Sequence, residues 1–179
     1  DVVLFTINSS GIFETVNRGG LERFGADGNT HFTRKPPWWE FAYAHSYFVR
    51  LIVHKVLGYN RFFTTNKQWV IENTTALNKM NDCLDKVNDL CAQNGIRCVF
   101  VFNPLLYEIA ADTLDCNAVL LHARQKEYEV VDAHRFFKAQ GVKAQNINKY
   151  YWPNDTHNNT EGYTLLAQAV AAQLATAQP

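Results

Sequence analysis

The sequence predicts an α/β protein in which helices flank a parallel sheet in three layers. Three short runs of apolar, mostly β-branched or aromatic residues are spaced along the chain, and longer segments of helical periodicity separate them. Alternating strands and helices build right-handed βαβ units, and therefore a parallel sheet. Of the 179 residues, 47% are hydrophobic and 19% are charged, as in ordinary globular proteins. A single domain spanning residues 1–179 is expected.

The predicted strands cover residues 2–7 (VVLFTI), 96–102 (IRCVFVF) and 129–131. The first of them is a continuous apolar run broken only by Thr6, which is typical of a strand buried on both faces. Polar residues follow the strands directly, namely Asn8, Asn103 and Asp132. Ligands of open parallel sheets bind beyond the carboxyl ends of the strands, so a functional site is expected at this edge.

Apolar residues at three- and four-residue steps predict helices at about 38–57, 69–93 and 109–127, and a last helix after Thr160. Thr160 is a good N-cap, and Glu161 puts negative charge in the first turn, where the helix dipole favours it. Residues 17–37 are rich in Gly, Asn and charge and are predicted to form a long loop.

Asp155 and His157 lie two positions apart in the segment that leads into the last helix. A carboxylate on one imidazole nitrogen fixes the tautomer and stabilises the charged ring, which leaves the other nitrogen to accept a proton. The pair therefore suits general-base chemistry. The alternative is purely local, with Asp155 capping a turn and His157 an exposed loop residue.

The order of Asp-x-His, Asn, Gly-Tyr and an Ala-rich helix (DTHNNTEGYTLLAQAVAAQL) resembles the last block of the SGNH (GDSL-type) hydrolases, especially their bacterial cell-envelope branches. The resemblance implies a flavodoxin-like α/β/α fold and a Ser-His-Asp triad containing His157 and Asp155. It also implies an oxyanion-binding Asn after a strand. Asn8 is nearest to that position, Ser10 takes it in another alignment, and a simple polar turn is the alternative for both.

The chain departs from this family at the nucleophile, because no Gly-Asp-Ser follows a strand. We interpret it as the carboxyl-terminal part of an SGNH-like domain, incomplete in its first strands. The serine would then come from a preceding segment or from a partner chain. In the alternative reading, Ser9 or Ser10 replaces the missing serine, or the domain does not catalyse.

The resemblance implies a serine esterase or acylhydrolase that removes an acyl or O-acetyl group from a small-molecule, glycan or lipid ester. It also favours a secreted or cell-envelope location over the cytoplasm. The alternative is a non-catalytic glycan-binding module. Aromatic residues suited to stacking on sugars, or to ordinary packing, are Trp38, Trp39, Tyr150, Tyr151 and Trp152.

Other functional classes are disfavoured by composition and motifs. The net charge is zero without a Lys/Arg run, which argues against nucleic acid as a partner, and no glycine-rich phosphate loop follows a strand. No apolar run approaches the ~20 residues of a membrane span. No cofactor or metal is expected, although Asp132 and His134 repeat the Asp-x-His spacing. The four cysteines do not follow a zinc-binding pattern, and their number permits a disulfide.

Overall fold

The computed structural model describes residues 1–30, 40–56, 66–153 and 157–176. The chain divides into two compact units, one made of Asp1–Ile12 with Met80–Pro179 and the other of Phe13–Lys79. Within the described ranges, all three strands belong to the first unit.

A three-stranded parallel sheet organises the first unit. Its order is β1 (Val2–Ile7), β2 (Arg97–Phe102) and β3 (Glu129–Asp132). Ile7 is in register with Phe102, and Phe102 with Asp132, so the strands end level with one another. The prediction of parallel neighbours is confirmed, and Asn8, Asn103 and Asp132 lie at one edge of the sheet.

Helices follow every strand. The helices are α1 (Ser10–Arg18), α2 (Glu40–His45), α3 (Tyr47–Leu51), α4 (Asn66–Gln93), α5 (Leu106–Ala111), α6 (Asn117–Gln125), α7 (Ala133–Ala139) and α8 (Thr160–Thr176), with a 3₁₀ turn at Ala144–Lys149 before α8. The architecture is therefore α/β, with a small parallel sheet and mostly helices, and it is compatible with three layers. No helix in these ranges is long and apolar enough to span a membrane.

One cluster of buried apolar side chains joins the sheet to the segments after β2 and β3. Val99, Val101 and Val131 contribute from the strands, and Phe137 of α7 and Tyr151 are fully buried among them. The rings of Phe137 and Tyr151 meet edge-on with centroids 6.4 Å apart. Each side chain of this size contributes about 1.5–3 kcal/mol when it leaves water. The cluster therefore anchors Tyr151, which begins the turn containing His157, to the sheet.

Strand β1 is not buried on both faces as its sequence predicts. It occupies the end of the sheet, with β2 as its neighbour, and Val2 and Leu4 are 49% and 46% exposed. Burial of both faces requires cover on each side of the strand, and the described residues leave the face of Val2 and Leu4 partly open. An apolar groove of about 400 Å³ runs here between β1 and α8.

The predicted helix at 109–127 is two helices, α5 and α6. Asp112 ends α5 in the left-handed conformation, with φ of 55°. The backbone N–H of Thr113 then donates to the carbonyl of Glu108, and that of Asp115 donates to the Glu108 carboxylate at 2.7 Å. These bonds turn the chain before Cys116, so the interruption depends on a buried side chain rather than on a Gly or Pro.

The second unit holds the remainder of α1, a 3₁₀ turn at Leu21–Arg23, α2, α3, a π-helical segment at Ile52–Val56 and the first half of α4. The single helix predicted at about 38–57 is interrupted at Ser46, whose hydroxyl caps α3 by accepting from the Val49 N–H at 3.3 Å. Part of the predicted 17–37 loop is ordered by an antiparallel bridge between Phe24 and Thr30. Residues 31–37 lie outside the described ranges.

Candidate functional site

Asn8 shapes the turn that follows β1. Its side-chain Oδ1 accepts hydrogen bonds from the Ser10 N–H at 3.1 Å and from the Ser10 hydroxyl at 2.5 Å. The arrangement satisfies donors at the start of α1, as short polar side chains do at helix N-termini. It fixes which end of the amide is the acceptor and leaves Nδ2 as the end that donates.

Ser9, by contrast, is part of the interior. It is 5% exposed, and its hydroxyl donates to Glu108 Oε1 while accepting from the Cys116 N–H at 3.0 Å. Both hydrogen-bonding functions of the hydroxyl are therefore used within the fold. A nucleophile needs an exposed oxygen and a base to take its proton, so Ser9 does not suit that role. Ser10 is exposed, but its proton is held by Asn8.

Glu108 is a fully buried carboxylate near this turn. Besides the Ser9 hydroxyl, it accepts from the backbone N–H groups of Leu105 and Asp115, each at 2.7 Å. A buried carboxylate without partners would be costly, and three donors offset its desolvation. Glu108 thus ties the turn after β1 to the segments around α5.

Asn103 links the ends of the two strands to the turn containing His157. Its backbone N–H donates to the Ile7 carbonyl at 2.8 Å, which continues the β1–β2 ladder by one residue. Its side-chain Nδ2 donates to Asn158 Oδ1 at 2.9 Å, and Asn158 is only 3% exposed. The residue after His157 is therefore held at the carboxyl end of β2. We call Asn8, Ser10, Asn103, His157 and Asn158 the carboxyl-edge site.

One acceptor at this site has no partner among the described residues. Asn103 Oδ1 is buried and makes no hydrogen bond there. A buried amide oxygen left in that state costs about 1–3 kcal/mol. It is therefore a natural position for a donor from a ligand or from another part of the protein.

The turn containing His157 is closed on both sides by backbone bonds. Tyr151 and Asn158 form an antiparallel bridge, and the Trp152 N–H donates to the His157 carbonyl at 3.1 Å. The Tyr151 hydroxyl donates to the Pro104 carbonyl at 2.9 Å, and burial raises the pKa of that hydroxyl well above its ordinary value. The base of the turn is therefore rigidly attached next to β2, while the His157 side chain is exposed.

Asp155 lies outside the described residues, so its hydrogen bond to His157 stays a prediction. The helix after the turn begins at Thr160, but the cap bond comes from Asn159, whose Oδ1 accepts from the Gly162 N–H at 3.1 Å. The N-cap is thus one residue earlier than the sequence suggests. Asn159 therefore ends the turn and caps α8.

Gly162 allows α8 to approach this turn closely. A Cβ atom here would lie 2.1 Å from the Tyr150 carbonyl oxygen and 2.8 Å from Asn158 Nδ2. No side chain larger than hydrogen fits without moving the backbone. Gly162 therefore has a steric role, because its lack of a side chain leaves room for Asn158 beside α8.

The second Asp-x-His pair has a structural role. Asp132 Oδ1 accepts from the Arg135 N–H at 2.9 Å and caps α7. Its Oδ2 pairs with Arg124 at 2.7 Å. His134 lies 4.0 Å from Asp112.

In the described part of the chain, no three His, Cys, Asp or Glu side chains are grouped to hold a metal ion. All four cysteines are free thiols.

The aromatic residues near the site divide by burial. Tyr151 is a core residue, Tyr150 is half-buried beneath the Lys149 ammonium group, and Trp152 is 55% exposed. Trp38 and Trp39 fall outside the described ranges. Trp152 is therefore the aromatic of this segment with a surface open to a ligand.

Comparison with protein-family models, with curated proteins and with solved structures finds no match to this chain. Sequence reasoning placed Asn103 at the carboxyl edge but gave it no role, and it did not single out Glu108 or Asn158 as partners in the fold. The position of Asn103 directly after a buried strand is a sequence pattern that could have indicated its role at the site. No sequence pattern indicates that Glu108 is buried, because a glutamate in a helical segment is ordinarily exposed.

Proposed function

We propose that this protein is an SGNH-like serine esterase or acylhydrolase that removes an acyl or O-acetyl group from a carbohydrate or lipid. His157 is the general base, Asp155 orients it and stabilises its charged form, and Asn8 donates to the oxyanion. The flavodoxin-like version of the α/β architecture belongs to the same proposal.

The observation that carries the proposal is the hydrogen bond from Asn103 to Asn158 at 2.9 Å. It fastens the residue after His157 to the end of β2, and the Asn103 backbone is bonded in turn to the residue before Asn8. A base and an amide donor on neighbouring segments at the carboxyl edge of a parallel sheet are the elements that acyl transfer requires.

In the proposed reaction, His157 accepts the proton of a serine hydroxyl while the serine oxygen attacks the ester carbonyl carbon. The negative charge that develops on the carbonyl oxygen is stabilised by Asn8 Nδ2 and by backbone N–H groups. The intermediate collapses with loss of the alcohol, which takes the proton from His157, and the acyl group stays on serine. Water then attacks by the same steps and releases the carboxylate.

The serine is proposed to lie in sequence of this protein outside residues 1–179, on a strand that pairs with the edge of β1 opposite β2. Three observations favour this over the serines after β1. Ser9 is buried and saturated with hydrogen bonds, and the proton of Ser10 is held by Asn8. The half-exposed side chains of Val2 and Leu4 also leave β1 with apolar surface that a further strand and its connections would cover.

A glycan-binding module without catalysis is the second candidate, and the exposure of Trp152 favours it. An indole face open to solvent stacks well on the apolar face of a sugar ring. In that case the carboxyl-edge site holds the ligand without turning it over.

Turnover of p-nitrophenyl acetate by the full-length protein tests the proposal. His157→Ala is expected to lower kcat/KM by ~10³-fold or more, because serine is a poor nucleophile at neutral pH without a base. His45→Ala, which removes an exposed histidine of α2, is the matched control and should leave turnover unchanged. Equal turnover in wild type and His157→Ala overturns the enzyme. Absence of turnover, together with glycan affinity lost in Trp152→Ala, supports the binding module.

A further inference from the structure

A cleft of about 400 Å³ opens beside β3, the terminal strand of the sheet, between α7 and α8. None of the residues proposed for catalysis lines it. Its volume falls within the ~300–1,000 Å³ of small-molecule sites. We call it the β3 cleft.

The deep part of the β3 cleft is apolar. Val131 and Ala169 are buried there, and Phe136 of α7 is partly buried beside them. Ala172, one turn further along α8, lines the cleft nearer to solvent. These apolar side chains suit an alkyl chain, and Gln173 and Thr176 of α8 also line the cleft.

The mouth of the cleft carries an excess of positive charge. Arg124 and Asp132 pair at 2.7 Å and neutralise one another, and the other Asp132 oxygen accepts from the Arg135 backbone. The Arg135 guanidinium, on an exposed side chain that lines the cleft, pairs with no residue of the described ranges. One positive charge is therefore left for a ligand, and guanidinium groups bind carboxylates in a two-bond arrangement.

We propose that the β3 cleft binds a medium-chain fatty acid as its carboxylate. Arg135 donates to the carboxylate at the mouth, and the alkyl chain lies over Val131, Phe136 and Ala169. Both features are needed, because an exposed ion pair alone contributes little and an alkyl chain alone has no preferred orientation in the cleft. This site is independent of the proposed esterase activity.

Calorimetric titration of the intact chain with sodium octanoate tests the site. Hexanoate, which is two methylene groups shorter, is expected to bind about tenfold more weakly. Acetate tests the charge without the chain, and 1-octanol tests the chain without the charge. Acetate is expected to bind more than about tenfold more weakly than octanoate, and 1-octanol about three- to fivefold more weakly.

Variants locate the binding. Arg135→Gln should weaken octanoate about three- to fivefold, and Arg135→Lys should weaken it less because the charge remains. Lys86→Gln removes an exposed charge of α4 that does not line the cleft, and it should leave the affinity unchanged. Ala172→Phe fills the cleft from an exposed position of α8 and should abolish binding. Ala167→Phe, on the same helix, instead fills the groove beside β1 and should have no effect.

Three results overturn the inference. One is the absence of octanoate binding to the wild-type chain. Another is equal affinity for octanoate and 1-octanol, which would make Arg135 irrelevant. The third is binding that survives Ala172→Phe and is lost in Ala167→Phe, which would assign the ligand to the groove between β1 and α8. None of these measurements depends on ester turnover.

Discussion

The hydroxyl of Ser9 lies 2.5 Å from a carboxylate oxygen of Glu108 and donates to it across 99 residues of sequence. The same hydroxyl accepts from the Cys116 N–H, so one side chain joins the turn after β1 to the start of α6. Because the neighbouring Asn8 and Ser10 belong to the carboxyl-edge site, this buried contact determines where that turn lies. Ser9 therefore supports the site by positioning this turn, and it takes no part in the proposed reaction.

Ser9→Ala is expected to lower the free energy of unfolding by about 2–3 kcal/mol, because it removes one donor from a buried carboxylate and leaves the Cys116 N–H unpaired. Ser10→Ala, at the adjacent exposed position, is the matched control and should cost less than about 1 kcal/mol. Urea denaturation of both variants measures the difference. Equal values would show that the Ser9 contact contributes no more than the exposed one.

Gly162→Ala is expected to destabilise the protein by about 3 kcal/mol, because the new methyl group would meet the Tyr150 carbonyl and the Asn158 amide. Gly11→Ala is its control. There the nearest atom is Met80 Cε at 3.3 Å, the end of a flexible side chain, and alanine favours the helix by about 0.5–1 kcal/mol. Thermal denaturation should separate the two variants clearly. A small effect at Gly162 would mean that the turn holding Asn158 yields easily.

Asp85 gives the stability a pH dependence that can be tested. Its carboxylate accepts from the Tyr128 hydroxyl at 2.9 Å and contacts His122 Nε2 at 2.7 Å, which joins α4 to α6. Burial raises the pKa of Asp85, but the hydrogen bonds from His122 and Tyr128 outweigh it and lower the pKa below its ordinary value. The stabilisation is therefore present above the unfolded pKa of about 4 and is lost as the pH falls through the lower folded value.

Asp85→Asn should accordingly lower the free energy of unfolding by about 1 kcal/mol at pH 7, with the difference from wild type shrinking below about pH 4. Asp82→Asn, an exposed position on the same helix, should show little difference at either pH. Urea denaturation at pH 7, 5 and 3 makes the comparison. A deficit of Asp85→Asn that persists unchanged at pH 3 would contradict the assignment.

Local patterns in the sequence were sufficient for the strands and their parallel pairing. Apolar runs and a polar residue just after each strand depend on nearby chemistry alone. The exposure of β1 could not be predicted in this way. An apolar run shows that a strand can be buried, but it does not show whether neighbouring elements cover the strand. The break between α5 and α6 was hidden for a related reason, since it depends on the tertiary contacts of Glu108.

The candidate site was predicted in part. The expectation that Asn8 lies at the carboxyl edge follows from the strand pattern and is confirmed. The contact that brings the His157 turn to the same edge joins Asn103 to Asn158, which are 55 residues apart. No periodicity reports such a contact, because it is specified by the packing of Tyr151 and by the steric demand at Gly162. The pairing of Asp155 with His157 stays a prediction.

Substitutions at Asn8 and Ser10 distinguish a serine supplied from outside residues 1–179 from a nucleophile within them. With an outside serine, Asn8→Ala should lower kcat in the full-length protein by about 10²–10³-fold, because one oxyanion donor is lost while binding is retained. Ser10→Ala should then cost only a few-fold, because Ser10 only holds the Asn8 amide in place. If Ser10 is the nucleophile, Ser10→Ala must instead match His157→Ala, at ~10³-fold or more. Single-turnover measurements with p-nitrophenyl acetate make the comparison, and a covalent acyl group on Ser10, located by mass spectrometry, would overturn the assignment of the serine to another segment.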